Sequence, residues 1–133
     1  MSSTGIITKT SNVSFEQTYQ QLRDVIDNNP NLKIIAELNH QANAASVDLN
    51  LAPTRIIMFG NPRLGTPLMQ NAQTIGLDLP QKILVYQEAS GVVKVAYNDP
   101  LYLKDRHGVS QNEAILEKIS GALNKLTSVA IAK

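Results

Sequence analysis

Two short segments carry the residues in this sequence that are best suited to chemistry. The first is GNPR at residues 60–63, and the second is NDP at residues 98–100. In each, an Asn or Asp followed by Pro is typical of a helix start, because the Asx side chain caps the first turn and proline fits the first helical position. We therefore predict that a helix begins at each segment, directly after a strand.

The first segment could bind a small anion. A helix N-terminus favours negative charge, and Gly60 would let a ligand approach the backbone closely. Arg63 is a cation in the first turn, where it opposes the helix dipole by roughly 0.3–1 kcal/mol. An anion shared between Arg63 and free backbone N–H groups would offset that cost. The simpler interpretation is that Asn61 only caps the helix and Arg63 projects into water, and this one is favoured.

The second segment has the same design, with Asp99 as the predicted cap. A functional interpretation would make the Asp99 carboxylate a general base or a metal ligand, whereas capping is the favoured interpretation. If the two junctions lie side by side, their polar groups would share one cleft. The candidate ligand-binding residues are therefore Gly60, Asn61, Arg63, Asn98 and Asp99.

Several kinds of catalytic site have no support in the sequence. The chain has no cysteine and two histidines, His40 and His107, which lack the spacing of a metal site. It contains neither a Gly-x-Ser-x-Gly elbow nor a phosphate-binding or dinucleotide-binding glycine motif. We therefore predict no metal and no cofactor, assign no catalytic residue, and leave open whether the protein is an enzyme. Isolated carboxylates are expected to face solvent, namely Glu37, Asp78 and Glu88.

Length and charge narrow the class of protein. The 133 residues fit a single domain over 1–133 that can bury a hydrophobic core without cross-links. A net charge of +1 with scattered Lys and Arg gives no basic face for nucleic acid. No apolar run approaches the roughly 18 residues of a membrane span, and residues 1–9 do not read as a signal peptide. We therefore expect a soluble protein, cytoplasmic by default.

Hydrophobic periodicity places the elements that must position these segments. It predicts helices at 14–28, from 61 to 76, at 99–108 and from 110 to about 127, with capping boxes at Ser14 and Ser110. It predicts strands at 4–9, 32–38, 55–59, 83–88 and 92–98. The third is expected to be buried on both sides or nearly so, and the last two to be joined by a hairpin at 89–91. Residues 40–47 are weakly helical. The predicted fold is α+β, a two-layer sandwich with a mixed or largely antiparallel sheet of about five strands and helices packed on one face.

The same residues resemble the DUF302 family, which has the TT1751-like fold. The resemblance lies in FGNP at 59–62, GLDLP at 76–80, ILVY at 83–86, GVV at 91–93 and DP at 99–100, in the order and at about the spacing of the family. It implies a compact α+β fold, often a homodimer, and no assigned activity. Many family members carry a cysteine where this chain has Gln81, and some where it has Gly60. Chemistry that uses such a thiol therefore cannot operate here.

Two functions follow from these observations. The leading one is a binding or interaction module, homodimeric, whose apolar strands offer edges to which a partner could add. The alternative is a small-molecule binding protein or enzyme that holds an anion at the Asn61–Arg63 helix N-terminus. A structural domain without a ligand is the third interpretation.

Overall fold

The structure, a computed structural model, describes residues 5–133 and confirms the predicted α+β class. The strands are β1 (Ile6–Thr10), β2 (Lys33–Asn39), β3 (Thr54–Gly60), β4 (Gln81–Gln87) and β5 (Val93–Asn98). The helices are α1 (Phe15–Asp27), α2 (His40–Ala45), α3 (Pro62–Asn71), α4 (Pro100–His107) and α5 (Glu113–Ala130), with a short 3₁₀ helix at Gln73–Leu77. The first strand was predicted from residue 4, which lies outside the described residues.

The five strands form one antiparallel sheet in the order β1-β5-β4-β3-β2. The tight turn at residues 88–91 joins β4 to β5, where Gly91 has a φ of 95° and its N–H donates to the Glu88 carbonyl. Longer segments join β2 to β3 and β3 to β4. The second of these contains α3, and it is the segment in which the first candidate site lies.

One face of the sheet carries the hydrophobic core. Ile57, Ile83, Val85 and Val95 are all fully buried on this face, where α1 and α5 pack. The helices contribute Leu22, Ile26, Leu116, Leu123 and Leu126. This arrangement follows from strand geometry, since alternate side chains point to opposite faces, and from the apolar stripes of the two helices.

The opposite face of the sheet is apolar but partly exposed. These positions alternate with the buried ones, so that in β3 Ile57 and Phe59 are buried whereas Ile56 and Met58 are half-buried. Of the prediction that β3 is buried on both sides or nearly so, only the weaker form holds. Register places Ile56 beside Leu84, and Leu84 beside Ala96. We call this the outer face and define it by its apolar residues Ala36, Leu38, Ile56, Met58, Leu84, Tyr86 and Ala96.

A β-bulge in β2 changes which side chains reach each face. Ile34 pairs with Phe59, and Ala36 pairs with Met58, so that Ile35 is the extra residue between them. As a result Leu32 and Ile34 pack against the core, whereas Leu38 lies on the outer face and is 42% exposed. Leu32, Ile34, Ala36 and Leu38 alternate along the sequence, but because of the bulge they do not all lie on one face.

The two predicted capping boxes have different outcomes. The Ser14 hydroxyl accepts a hydrogen bond from the Gln17 N–H at 3.1 Å, which confirms the start of α1. Ser110 does not cap α5, because the N-cap is Asn112 in a left-handed conformation with φ 68°. The predicted cap at Ser110 is therefore wrong. No helix within residues 5–133 combines the length and apolar character needed to cross a membrane.

Candidate functional site

The first candidate segment forms a closed helix cap. The Asn61 Oδ1 atom accepts a hydrogen bond from the Arg63 N–H at 3.0 Å, and Pro62 has no N–H. The Asn61 carbonyl accepts from the N–H groups of Leu64 at 2.9 Å and Gly65 at 3.0 Å. This confirms that α3 begins here. Every N–H group of the first turn already has a partner, so an anion would have to use the exposed Arg63 side chain or displace the cap.

The second segment has the same cap. The Asp99 carboxylate accepts from the Leu101 N–H at 3.0 Å, and its carbonyl accepts from Tyr102 at 3.0 Å and Leu103 at 3.2 Å. The Asp99 N–H donates to the Gly5 carbonyl at 2.8 Å, which ties the start of α4 to the start of β1. The carboxylate is therefore engaged in the first turn of α4.

The two junctions lie at the same end of the sheet but do not share a cavity. β3 and β5 run in the same direction on either side of β4, so their ends are about 10 Å apart, or two strand spacings. Gly60 and Asn61 line a cavity on the helix side of the sheet. Asn98 instead borders a shallow concavity on the outer face. Arg63 and Asp99 line neither.

The cavity beside Gly60 and Asn61 has a volume of about 370 Å³ and is mostly apolar. Its walls come from four stretches of the chain, namely the start of β2, the end of β3 together with α3, the segment that leads into β4, and α5. We call it the α3–α5 cavity. Its apolar walls include Ile35, Phe59, Leu64, Met69, Leu79 and Leu123.

Four polar residues line the same cavity. They are Lys33 from β2, Asn61 at the N-cap of α3, Thr66 from α3, and Gln81 from β4. The Lys33, Thr66 and Gln81 side chains have no hydrogen-bond or ion-pair partner among residues 5–133, and the Asn61 Oδ1 atom is engaged in the cap. Donor groups are thus available at the cavity while its interior is apolar.

A buried carboxylate–histidine pair holds one wall of this cavity. The Nε2 atom of His107 lies 2.6 Å from Asp78 Oδ2, and its Nδ1 atom lies 3.0 Å from the Thr74 hydroxyl. Arg106 also donates to Asp78, at 3.1 Å. A carboxylate can only accept, so Nε2 carries the proton. The pair joins the end of α4 to the 3₁₀ helix and the segment that follows it. Gly76 of this helix and Leu79 and Pro80 of the segment are cavity walls, and the Leu79–Pro80 peptide is cis.

This pair was missed by the sequence reasoning, which expected Asp78 to face solvent. The Asp78 side chain is only 16% exposed, and that of His107 5%. His107 lies at the end of α4, and the residues that meet it lie about 30 positions earlier. Thr74, Asp78 and His107 have no local spacing that would connect them, so the sequence gives no signal for the contact.

A second polar cluster lies between α1 and the sheet. The Tyr19 hydroxyl donates to Glu37 at 2.7 Å, and Arg23 pairs with Glu37 at 3.2 Å. Burial raises the pKa of Tyr19 above its ordinary value, and the hydrogen bond to Glu37 raises it further. The Arg55 guanidinium lies over the rings of Phe15 and Tyr19, at 5.1 and 5.4 Å. Glu37 is exposed, as expected, and it is also a structural partner of α1.

The other carboxylates expected to face solvent and the metal-ligating residue types give no further candidate site within residues 5–133. Glu88, the third carboxylate expected to face solvent, pairs with Lys94 at 3.1 Å. Across residues 5–133, no three His, Asp or Glu side chains come close enough together to hold a metal ion. The α3–α5 cavity and the outer face are thus the two features of the described chain to be weighed for function.

Comparison with known proteins gives a family and several relatives. The model of the family described as "Domain of unknown function DUF302" matches residues 7–126. Proteins named "Fluoride-specific ion channel FluC 1" from Brucella suis biovar 1 (strain 1330) and Brucella abortus biovar 1 (strain 9-941) are each 37% identical over 119 residues. The match covers 88% of this chain but 46% and 44% of those proteins, so the chain spans less than half the length of these curated relatives.

A solved structure shares the fold. The crystal structure of an uncharacterized conserved DUF302 protein from Bacillus stearothermophilus superposes with a TM-score of 0.74 and covers 96% of this chain and 95% of its own. The two sequences are 19% identical, so this likeness supports the architecture alone.

Proposed function

The chain belongs to the DUF302 family, and we propose that it is a binding and interaction module that forms a homodimer through the outer face of its sheet. The observation that carries the proposal is the row of apolar side chains across that face. Leu38, Ile56, Leu84 and Ala96 are neighbours in successive strands and remain partly exposed. Contiguous apolar surface of this kind is typical of interaction sites.

The size of the face predicts a weak dimer. Five strands at about 4.8 Å spacing, each about 20 Å long, present roughly 480 Å² in projection. Two copies packed face to face would bury about 1,000 Å² in total, below the roughly 1,200–2,000 Å² of stable complexes. We therefore expect association at micromolar rather than nanomolar concentration.

Charge on the same face gives the dimer a characteristic response to salt. Register places Lys82 beside Met58 and Lys94 beside Tyr86 on the outer face. Lys94 is paired with Glu88, whereas Lys82 donates only to the neutral Pro80 carbonyl. Two copies would bring their Lys82 side chains onto one interface. Added salt screens this repulsion, so the dimer should become tighter between 0.05 and 0.5 M NaCl, on the order of a severalfold change.

Sedimentation equilibrium of the wild type and two variants tests the proposal. Leu84→Glu places a charge at the centre of the outer face and should give a 14.5 kDa monomer at every concentration. The matched control is Leu101→Glu on α4, since Leu101 is 57% exposed and lies outside that face. It should dimerise like the wild type. A wild type that stays monomeric at 200 μM, or equal association of both variants, would refute the proposal.

The Brucella relatives suggest what such a module would do within a longer protein. In those proteins, named as fluoride-specific ion channels, the matched region is less than half of the chain. A module that associates in pairs would bring two copies of the attached part together. We propose this pairing role for the domain, and not ion conduction by the domain itself.

A small anion held near Asn61 and Arg63 is the second candidate function, with Gly60, Asn98 and Asp99 as the other residues proposed. It is supported by the exposed Arg63 side chain, which has no partner among residues 5–133, and by the fluoride named in the relatives. The test is thermal unfolding in millimolar fluoride, sulfate or phosphate against chloride at equal ionic strength. Arg63→Ala should abolish any stabilisation, and no shift with any of the three anions would exclude this function.

A further inference from the structure

We propose that the α3–α5 cavity binds a small amphiphilic molecule, with an apolar chain inside and a carboxylate or similar hydrogen-bond acceptor at the polar residues. The cavity lies on the helix side of the sheet, opposite the outer face, so this proposal stands independently of the dimer. Its volume of about 370 Å³ lies within the range of roughly 300–1,000 Å³ that is typical of small-molecule sites.

The apolar walls determine the chemistry of the interior. Phe59 and Leu123 are buried core residues that also form part of the cavity wall. Leu64 and Met69 of α3 add side chains from a second direction. A polar molecule that enters loses its hydrogen bonds to water and finds no partners in these walls, whereas an apolar chain is stabilised by leaving water. We therefore assign the interior to an alkyl or ring system.

The polar residues determine the chemistry of the end group. Lys33 is exposed, and the Thr66 and Gln81 side chains have no hydrogen-bond partner among residues 5–133. Each can donate a hydrogen bond, and Lys33 adds a positive charge. The backbone of α3 contributes none, because the N–H groups of Arg63, Leu64 and Gly65 are engaged in the cap. An acceptor with negative charge is the end group that suits side-chain donors of this kind.

Two glycines in the cavity wall, Gly60 and Gly65, leave space that a side chain would fill, although neither backbone conformation requires glycine. Gly60 and Gly65 do not have the positive φ that distinguishes Gly5, Gly91 and Gly108. A Cβ on Gly65 would meet only Leu79 Cδ1, at an ordinary 3.6 Å. A larger side chain at Gly65 would therefore extend toward the Leu79 wall and occupy the cavity without straining the backbone.

The proposal predicts a chain-length series. Titration calorimetry with straight-chain carboxylates of six to twelve carbons, each below its micelle concentration, should show Kd falling about fourfold per methylene until the cavity is filled. Alcohols of equal length should bind severalfold more weakly. Lys33→Ala should weaken the carboxylates severalfold and leave the alcohols unchanged.

A cavity-filling variant locates the site. Gly65→Leu should weaken the best carboxylate at least tenfold, whereas the matched control Gly121→Leu should bind like the wild type. Gly121 lies in α5, does not line the cavity, and a Cβ there would have no atom within 4 Å. The proposal is overturned if no carboxylate binds at 1 mM, if Kd is independent of chain length, or if Gly65→Leu binds normally.

Wild-type protein provides a test that does not depend on the folding of the variant. Amide chemical shifts of ¹⁵N-labelled protein, titrated with the best carboxylate, should change in residues 60–69 and 76–81. They should stay fixed at the outer-face residues Leu84 and Ala96. Changes confined to the outer face would instead mean that the chain binds there, and would refute the cavity as the site.

Discussion

Replacing Asp78 should destabilise the protein far more than replacing the arginine that shares its carboxylate. In Asp78→Ala, the buried His107 Nε2–H loses its 2.6 Å acceptor. A buried polar group left without a partner costs about 1–3 kcal/mol. The lost Arg106 pair adds little, because the Arg106 side chain is 52% exposed and such pairs contribute about 0–1 kcal/mol. We expect a loss of about 2–3 kcal/mol from the free energy of unfolding.

Urea unfolding followed by circular dichroism measures this loss. With a slope of about 1–3 kcal/mol per molar urea, the midpoint of Asp78→Ala should fall by roughly 1 M. Arg106→Ala is the matched control, since it removes the exposed partner of the same carboxylate and should shift the midpoint by less than half as much. If the two variants lose equal stability, the buried pair does not hold the segment as described and the reasoning is wrong.

The structure makes three further predictions. Gly65→Ala should raise the free energy of unfolding by about 0.5–1 kcal/mol, because alanine is favoured over glycine inside α3. An equal or lower midpoint in urea would contradict this. Gly5→Ala should lower it by more than about 2 kcal/mol, since φ is 77° and a Cβ would overlap the Tyr102 ring; a neutral result would show that the turn is not constrained. Burial raises the pKa of Tyr19 and Tyr97. The free energy of unfolding should therefore be constant up to about pH 10 and fall at higher pH, where the unfolded state loses these protons first. In Tyr97→Phe the free energy of unfolding should fall less over the same pH range than in the wild type.

The two helix starts could be predicted because their chemistry is local. Asn61 and Asp99 each cap through their own side chain and carbonyl, with partners within four residues. The predicted capping box at Ser110 is wrong because residues 110–112 form hydrogen bonds with a distant part of the chain. The Ser110 N–H donates to Asn71 Oδ1 at 3.0 Å, and the Asn112 amide donates to the Pro67 carbonyl at 3.1 Å. Those contacts, some 40 residues apart, move the start of α5 to Glu113.

Register and cavities could not be predicted for a related reason. The bulge at Ile35 depends on how β2 meets β3, and a shift of one residue exchanges the faces of a strand without changing its local pattern. The α3–α5 cavity is assembled from four separate parts of the chain, so no single segment indicates it. The glycine at position 65 is visible in the sequence, but the space beside it is not.

The strand order has a consequence for how the chain acquires its structure. β2, β3, β4 and β5 are neighbours in the order in which they are synthesised. Within residues 5–133, β1 is bonded to β5 alone, with Ile6 opposite Asn98. Within this sheet, β1 is therefore made first and must wait until some ninety further residues have been synthesised before its partner is available. Contacts of such long sequence separation slow folding. The edge of β5 that β1 finally covers is thus open during synthesis, when it can pair with another nascent chain.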